Sequence, residues 1–205
     1  MKKWLFLVLL ALVGVLAWFF LVTKHKPNDE TPKDQPIAVS RHSQAFNQSV
    51  DTFLNTYYAL TEAFVNWDST GVTATANKMN TALANVKWTE LQKDTMIYQT
   101  ATSDTAAFRS DLEVLAGTAD LTTKRHSFHA LTQSLYDLLR TVKYDGTKLY
   151  LQQCPMAFND DGEGVWLSKT SKIRNPYLGL HHPKYSSGMI SCGETKDTLN
   201  FQASN

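Results

Sequence analysis

From Phe46 onward, apolar residues recur at steps of three and four: Phe46, Val50, Phe53, Leu54, Tyr57, Leu60, Phe64 and Val65. That period puts one apolar stripe along a helix over about 43–67. Asp68 or Ser69 is placed to cap a second helix, whose face is Val72, Ala76, Met79, Leu83 and Val86. Thr89 with Gln92 reads as a capping box for a third. This helix carries Leu91, Met96, Phe108, Leu112 and Leu115, has a candidate break at Ser103-Asp104, and ends at Gly117. Asp120 or Thr122 opens a fourth, with Leu121, Phe128, Leu131, Leu135, Leu138, Leu139 and Val142 in one stripe. Between Lys24 and Asp145 the only glycines are Gly71 and Gly117, and no proline falls between Pro36 and Pro155. So few breakers favour helix throughout. The expected fold is mainly α: an antiparallel four-helix bundle over residues 43–144, with Met79 and Met96 in its core.

The pattern differs at both ends. Near the N-terminus an uncharged run, Trp4 to Val22, follows Lys2-Lys3. At about 1.5 Å per residue it is just long enough to cross a hydrocarbon core of about 30 Å. Its bulky exit, Trp18-Phe19-Phe20-Leu21-Val22, lacks the small residues of a cleavage site. Residues 1–23 therefore read as an uncleaved signal anchor, a membrane-spanning helix; a signal peptide cleaved near Lys24 is the alternative. The basic N-terminus favours its staying inside, with the bulk of the chain outside. The expected location is a single pass through the cell inner membrane with the C-terminal domain in the periplasm. Residues 24–42, charged and punctuated by Pro27, Pro32 and Pro36, form a semi-extended linker.

After Asp145 the helical period is lost. Six of the nine glycines and three of the six prolines lie here, so residues 145–205 read as short strands and turns. The candidate strands are Lys148–Gln153, Val165–Ser168 and Gly188–Cys192, with Asn159–Gly164 as a turn between the first two. A small β-rich meander of this kind is too small to stand alone. It is expected to cap the bundle, making 43–205 one compact domain.

Charge narrows the possible partners. Four of the twenty basic residues are Lys2, Lys3, Lys24 and Lys26; the remaining sixteen face nineteen acidic residues. A slightly acidic domain gives no footprint for nucleic acid. No Gly-x-Ser-x-Gly, His-Glu-x-x-His or phosphate-binding glycine loop is present, so no enzyme is expected. Asp160, Asp161 and Glu163 lack calcium-loop spacing and read as a solvated hairpin tip. His126 and His129 read as a surface pair, His126 pointing away from the apolar stripe and His129 on its flank.

The candidate chemistry is sulfur. The two cysteines, Cys154 and Cys192, each have a methionine close by, Met156 and Met189. In an extended strand Cys154 and Met156 share a face; Met189 and Cys192 can converge in a turn. Thiolate and thioether suit Cu(I) or Ag(I). His181 and His182 would add imidazole and admit Zn. The simpler account of the residue types is a Cys154–Cys192 disulfide. It would close a loop of about 39 residues and contribute about 4 kcal/mol in the chain-entropy picture. The two accounts exclude each other at any one moment, because an oxidised pair has no thiolate to donate.

Five stretches in this order carry a family resemblance: Arg125-x-x-Phe128-x-x-Leu131-Thr132-x-x-Leu135; Cys154-Pro155-Met156; Trp166-Leu167-Ser168; Ile173-Arg174-Asn175-Pro176-Tyr177-x-Gly179; and Met189-x-x-Cys192-Gly193. Over about residues 50–201 the chain resembles a bacterial domain family of unknown function, common in Bacteroidetes. The family occurs alone behind export signals and at the C-terminus of copper/silver efflux adaptors. The resemblance implies metal handling, with Cys154, Met156, Met189 and Cys192 as ligands and metal efflux components as partners. It moves a Cu(I) site ahead of the disulfide, which stays as the alternative: a stapled cap on a non-metal interaction module. Trp166, Asn175, Pro176 and Tyr177 are expected to shape the cap that brings the sulfur-bearing ends together. The segment Leu180–Gly188 is longer than expected for the family, and no adaptor barrel or hairpin is present.

Overall fold

A computed structural model describes residues 42–118, 120–158 and 162–202, together with Trp18. Apart from Trp18, the expected membrane-spanning run lies outside the described residues, as do the linker up to residue 41 and the acidic pair Asp160-Asp161. The chain divides into Met1–Ala38 and Val39–Asn205, and the second unit carries every element below. No described helix is long and apolar enough to cross a membrane.

The unit is mainly helical: its described residues form four α-helices, one 3-10 helix and a small three-stranded antiparallel sheet. Helix α1 spans Gln44–Val65; its N-cap, Ser43, accepts from the Phe46 N–H, and its buried residues follow the expected stripe from Phe46 to Val65. Helix α2, Ser69–Ala84, is capped by Asp68, which accepts from the Gly71 N–H at 2.8 Å. Helix α3, Thr95–Gly117, is capped by Asp94, and α4, Leu121–Thr141, by Asp120. Each cap satisfies an N–H group that the first helical turn leaves without a partner.

The third helix departs from expectation. Thr89 and Gln92 do not form its capping box; they lie in a 3-10 helix, Trp88–Lys93. The α-helix begins only when the Asp94 carboxylate accepts from the Met96 and Ile97 N–H groups. It runs through Ser103-Asp104 without a break. Met96, expected in the core, is 77% exposed. At 3.6 residues per turn it points away from the buried face of Ala101, Phe108, Leu112 and Leu115.

The helices share one core. Phe128 of α4 stacks on Tyr57 and meets Phe64 at 4.7 Å between ring centres, and Phe53 meets Phe108 of α3 edge-on. Lys124 is almost fully buried in this core. Its ammonium donates to the Ser69 carbonyl, the Ser69 hydroxyl and the Thr73 hydroxyl, using all three of its protons.

The sheet joins β1 (Leu149–Cys154), β2 (Gly164–Ser168) and β3 (Glu194–Leu199) in the order β2-β1-β3, both outer strands antiparallel to β1. It is therefore not a meander. The third strand is Glu194–Leu199, and residues 188–192 form turns instead. Only Leu199 of β3 is buried, so β3 carries no hydrophobic alternation. Its pairing skips Lys196 between Thr195 and Asp197. A bulge with a lysine on an outer strand discourages further strand addition. The other outer strand, β2, is covered by side chains: the Leu167 N–H donates to the Tyr57 hydroxyl, the Val165 N–H to His129 Nδ1, and the Tyr177 hydroxyl to the Val165 carbonyl. The sheet is thus fastened to α1 and α4 through backbone groups that β1 leaves free.

Candidate dithiol site

Cys154 is the last residue of β1, paired with Gly164 of β2. Its side chain is fully buried. Cys192 ends a turn in which its N–H donates to the Met189 carbonyl at 3.0 Å. Two features bring that turn to Cys154. Gly193 has φ 134°, and a Cβ there would stand 2.4 Å from the Gln153 carbonyl oxygen and 3.0 Å from the Trp166 ring. Glycine permits both this backbone and this approach. The second feature is Asn175, whose side chain is fully buried. Its Nδ2 donates to the Cys192 carbonyl at 2.8 Å, and its Oδ1 accepts from the Tyr177 and Leu178 N–H groups. Its backbone N–H reaches the Ile190 carbonyl. One side chain thus shapes the Asn175–Leu178 turn and ties it to the cysteine turn.

The two sulfurs stand 3.8 Å apart, with both cysteines as free thiols. Burial and, second, the neighbouring Cys154 push the Cys192 thiol above its ordinary pKa. The geometry discriminates among coordination types. Two sulfurs bound to one ion at about 2.3 Å stand about 3.8 Å apart at a tetrahedral angle, about 4.0 Å at a trigonal one and about 4.6 Å in a line. The observed spacing suits an ion with one or two further ligands and is short for a two-coordinate one.

Met156 does not share a strand face with Cys154, because β1 stops at Cys154 and residues 155–157 form a turn. Met156 and Met189 are partly buried against the core. His182 is engaged elsewhere: its ring stacks on Tyr185 and meets Trp67 edge-on, and its Nδ1 accepts from the Lys184 and Tyr185 N–H groups. His181 is exposed. Among the described residues, no three His, Cys, Asp or Glu side chains converge as a metal-ligand group.

Trp166 and Tyr177 are buried behind the site, with ring centres 6.2 Å apart. His126 and His129 are not a bare surface pair. Phe158, from the turn after β1, stacks on His126 at 4.0 Å and meets His129 edge-on. Burial holds the His129 imidazole below its ordinary pKa, consistent with a neutral ring accepting from Val165. The sequence pattern gave no sign of the Tyr57–Leu167 tie, since a tyrosine in an apolar stripe looks like any other core aromatic. A polar cleft of 390 Å³ lined by Gln133, Tyr136, Asp137, Glu163 and Lys196, among others, touches neither cysteine.

Fold and site define a mainly helical domain with a small antiparallel sheet that carries a buried-to-surface pair of thiols. Residues 53–147 match a family described as protein of unknown function (DUF3347). The match takes in most of the helical part and stops before β1, so both cysteines lie beyond it. Neither a curated protein nor a solved structure matches the chain.

Proposed function

We propose that the chain is a membrane-anchored extracytoplasmic domain that binds a soft metal ion, Cu(I) first, at the Cys154–Cys192 dithiol. Its task is capture, buffering or transfer rather than catalysis. In this reading the four helices act as an antiparallel bundle. The N-terminal run holds them at the inner membrane with the domain in the periplasm, where metal efflux components are the natural partners. The supporting observation is the 3.8 Å separation of the two sulfurs. Cu(I) and Ag(I) accept thiolate with thioether, and Met156 or Met189 is near in sequence to complete the set. Zn is disfavoured, since it wants four N, S or O ligands and no third such side chain joins the pair among the described residues. His181 and His182 drop out of the proposed set.

The test is Cu(I) titration of the reduced full chain in detergent against a chromophoric Cu(I) chelator. The expected result is one equivalent bound, lost in Cys154→Ser/Cys192→Ser and weakened in Met156→Leu or Met189→Leu. Equal binding by the double-serine variant would end the proposal.

The same contact favours a second reading, a disulfide-stapled cap on a non-metal interaction module, because a modest side-chain movement brings the sulfurs to bonding distance. A thiol count on protein taken from its native compartment decides between them. Full oxidation that resists mild reductant supports the staple.

A further inference from the structure

The two thiols are unequal. Cys154 has no exposed surface and lies behind Cys192, which is only partly buried. A reagent from solvent therefore meets Cys192 first. Once Cys192 carries a bound group, the nearest sulfur able to displace it is Cys154, in contact at 3.8 Å. An accessible first thiol with a second thiol in contact is the geometry in which an exchange product is resolved internally, the first attack running through the fraction of Cys192 that has lost its proton.

We propose that Cys192 and Cys154 form a redox-active pair, with Cys192 the sulfur that exchanges with small disulfides and Cys154 the sulfur that resolves the product. In the first step the Cys192 thiolate attacks a small disulfide. A Cys192–S–S–R bond forms, the R–S–S–R bond breaks and one R–S⁻ leaves. In the second step the Cys154 thiolate attacks Cys192 Sγ, the Cys154–Cys192 bond forms and a second R–S⁻ leaves. Two electrons pass from the cysteine pair to the reagent, and the two thiol protons end on the two released thiols. The consequence for metal handling rests on the dithiol reading above: oxidation removes both thiolates and releases the ion.

The experiment treats the reduced full chain in detergent with oxidised glutathione and follows intact mass. Wild type is expected to reach the internal disulfide without accumulating a glutathione adduct. Cys154→Ala is expected to accumulate a stable adduct on Cys192, and Cys192→Ala about tenfold less on Cys154, following accessibility. Cys154→Ser repeats the measurement with a different side chain if alanine disturbs folding, and circular dichroism checks both. Equal adducts in the two single variants, or a wild type that stops at the adduct, would overturn the assignment. Cu(I) titration before and after oxidation separates the two proposals. Ordered exchange without Cu(I) binding by the reduced chain removes the metal reading and keeps the redox pair. Cu(I) binding without ordered exchange does the reverse.

Discussion

The Asn175 carboxamide donates to the Cys192 carbonyl across 2.8 Å, joining positions seventeen residues apart at the point where the cysteine turn meets the sheet. Asn175 is the hinge pin of the site. Asn175→Asp keeps an oxygen for the Tyr177 and Leu178 N–H groups but turns the donor facing Cys192 into an acceptor. The expected cost is about 3 kcal/mol, the range for a buried polar group left unpaired with added charge burial. Urea unfolding measures it. The same variant should also label faster at Cys192 than wild type under native conditions, as its turn is released.

Tyr57 performs the same kind of fastening between layers. Its hydroxyl bonds Thr132 of α4 at 2.8 Å and accepts from the Leu167 N–H of β2 at 3.0 Å. Tyr57→Phe keeps the ring and orphans a buried strand N–H, so a loss of about 1–3 kcal/mol is expected in thermal or urea unfolding.

The buried phenol also sets an alkaline limit. Burial raises the Tyr57 pKa from 10.0 to about 12. The unfolded chain releases this proton from pH 10 upward while the folded chain holds it. The stabilisation is complete below pH 10 and falls as pH rises toward 12, by about 1.4 kcal/mol per unit for this one group. Unfolding free energy measured across that window should drop in wild type, and less steeply in Tyr57→Phe.

Cys192 titrates above the ordinary thiol range because of burial first and Cys154 second. Its alkylation by iodoacetamide should therefore rise with pH through a midpoint higher than that of a free thiol. Cys154→Ala removes the second cause and should move the midpoint down without restoring the free value. An unchanged midpoint would mean that the two sulfurs do not sense each other in solution.

Gly193 has no room for a methyl group beside the Gln153 carbonyl. Gly193→Ala should cost about 2 kcal/mol, from the disfavoured backbone and the clash together. It should also separate the thiols, seen as slower closure of the internal disulfide under a fixed oxidant. Gly117→Ala, with nothing near its Cβ position, serves as the control: it should leave disulfide closure unchanged and, as a helical site, lose no stability.

The α-helical stripes could be read because each is a local property. Val72, Ala76, Met79 and Leu83 lie on one face whatever the rest of the chain does, and all are buried. Met96 shows where this stops. Its side chain suits a core, but at about 100° per residue it lies well off the face formed by Ala101, Phe108, Leu112 and Leu115, and so it points outward. β3 was hidden for a related reason. Five of its six residues are exposed, so it has no apolar alternation, and its pairing with β1 is written in backbone hydrogen bonds that no side-chain pattern records.

By itself the sequence determined which segments are helical, that Asp68 and Asp120 cap two of them, and that soft ligands flank the Gly- and Pro-rich tail. Local spacing and side-chain chemistry suffice for those. Tertiary structure decided which sulfurs meet. It set Cys154 against Cys192 and placed Met156 in a turn beyond the strand. It also committed His182 to Trp67 and Tyr185. Those outcomes depend on Asn175, Gly193 and Tyr57 joining segments far apart in the chain. Such contacts gain free energy only once the core has closed, so no local pattern announces them.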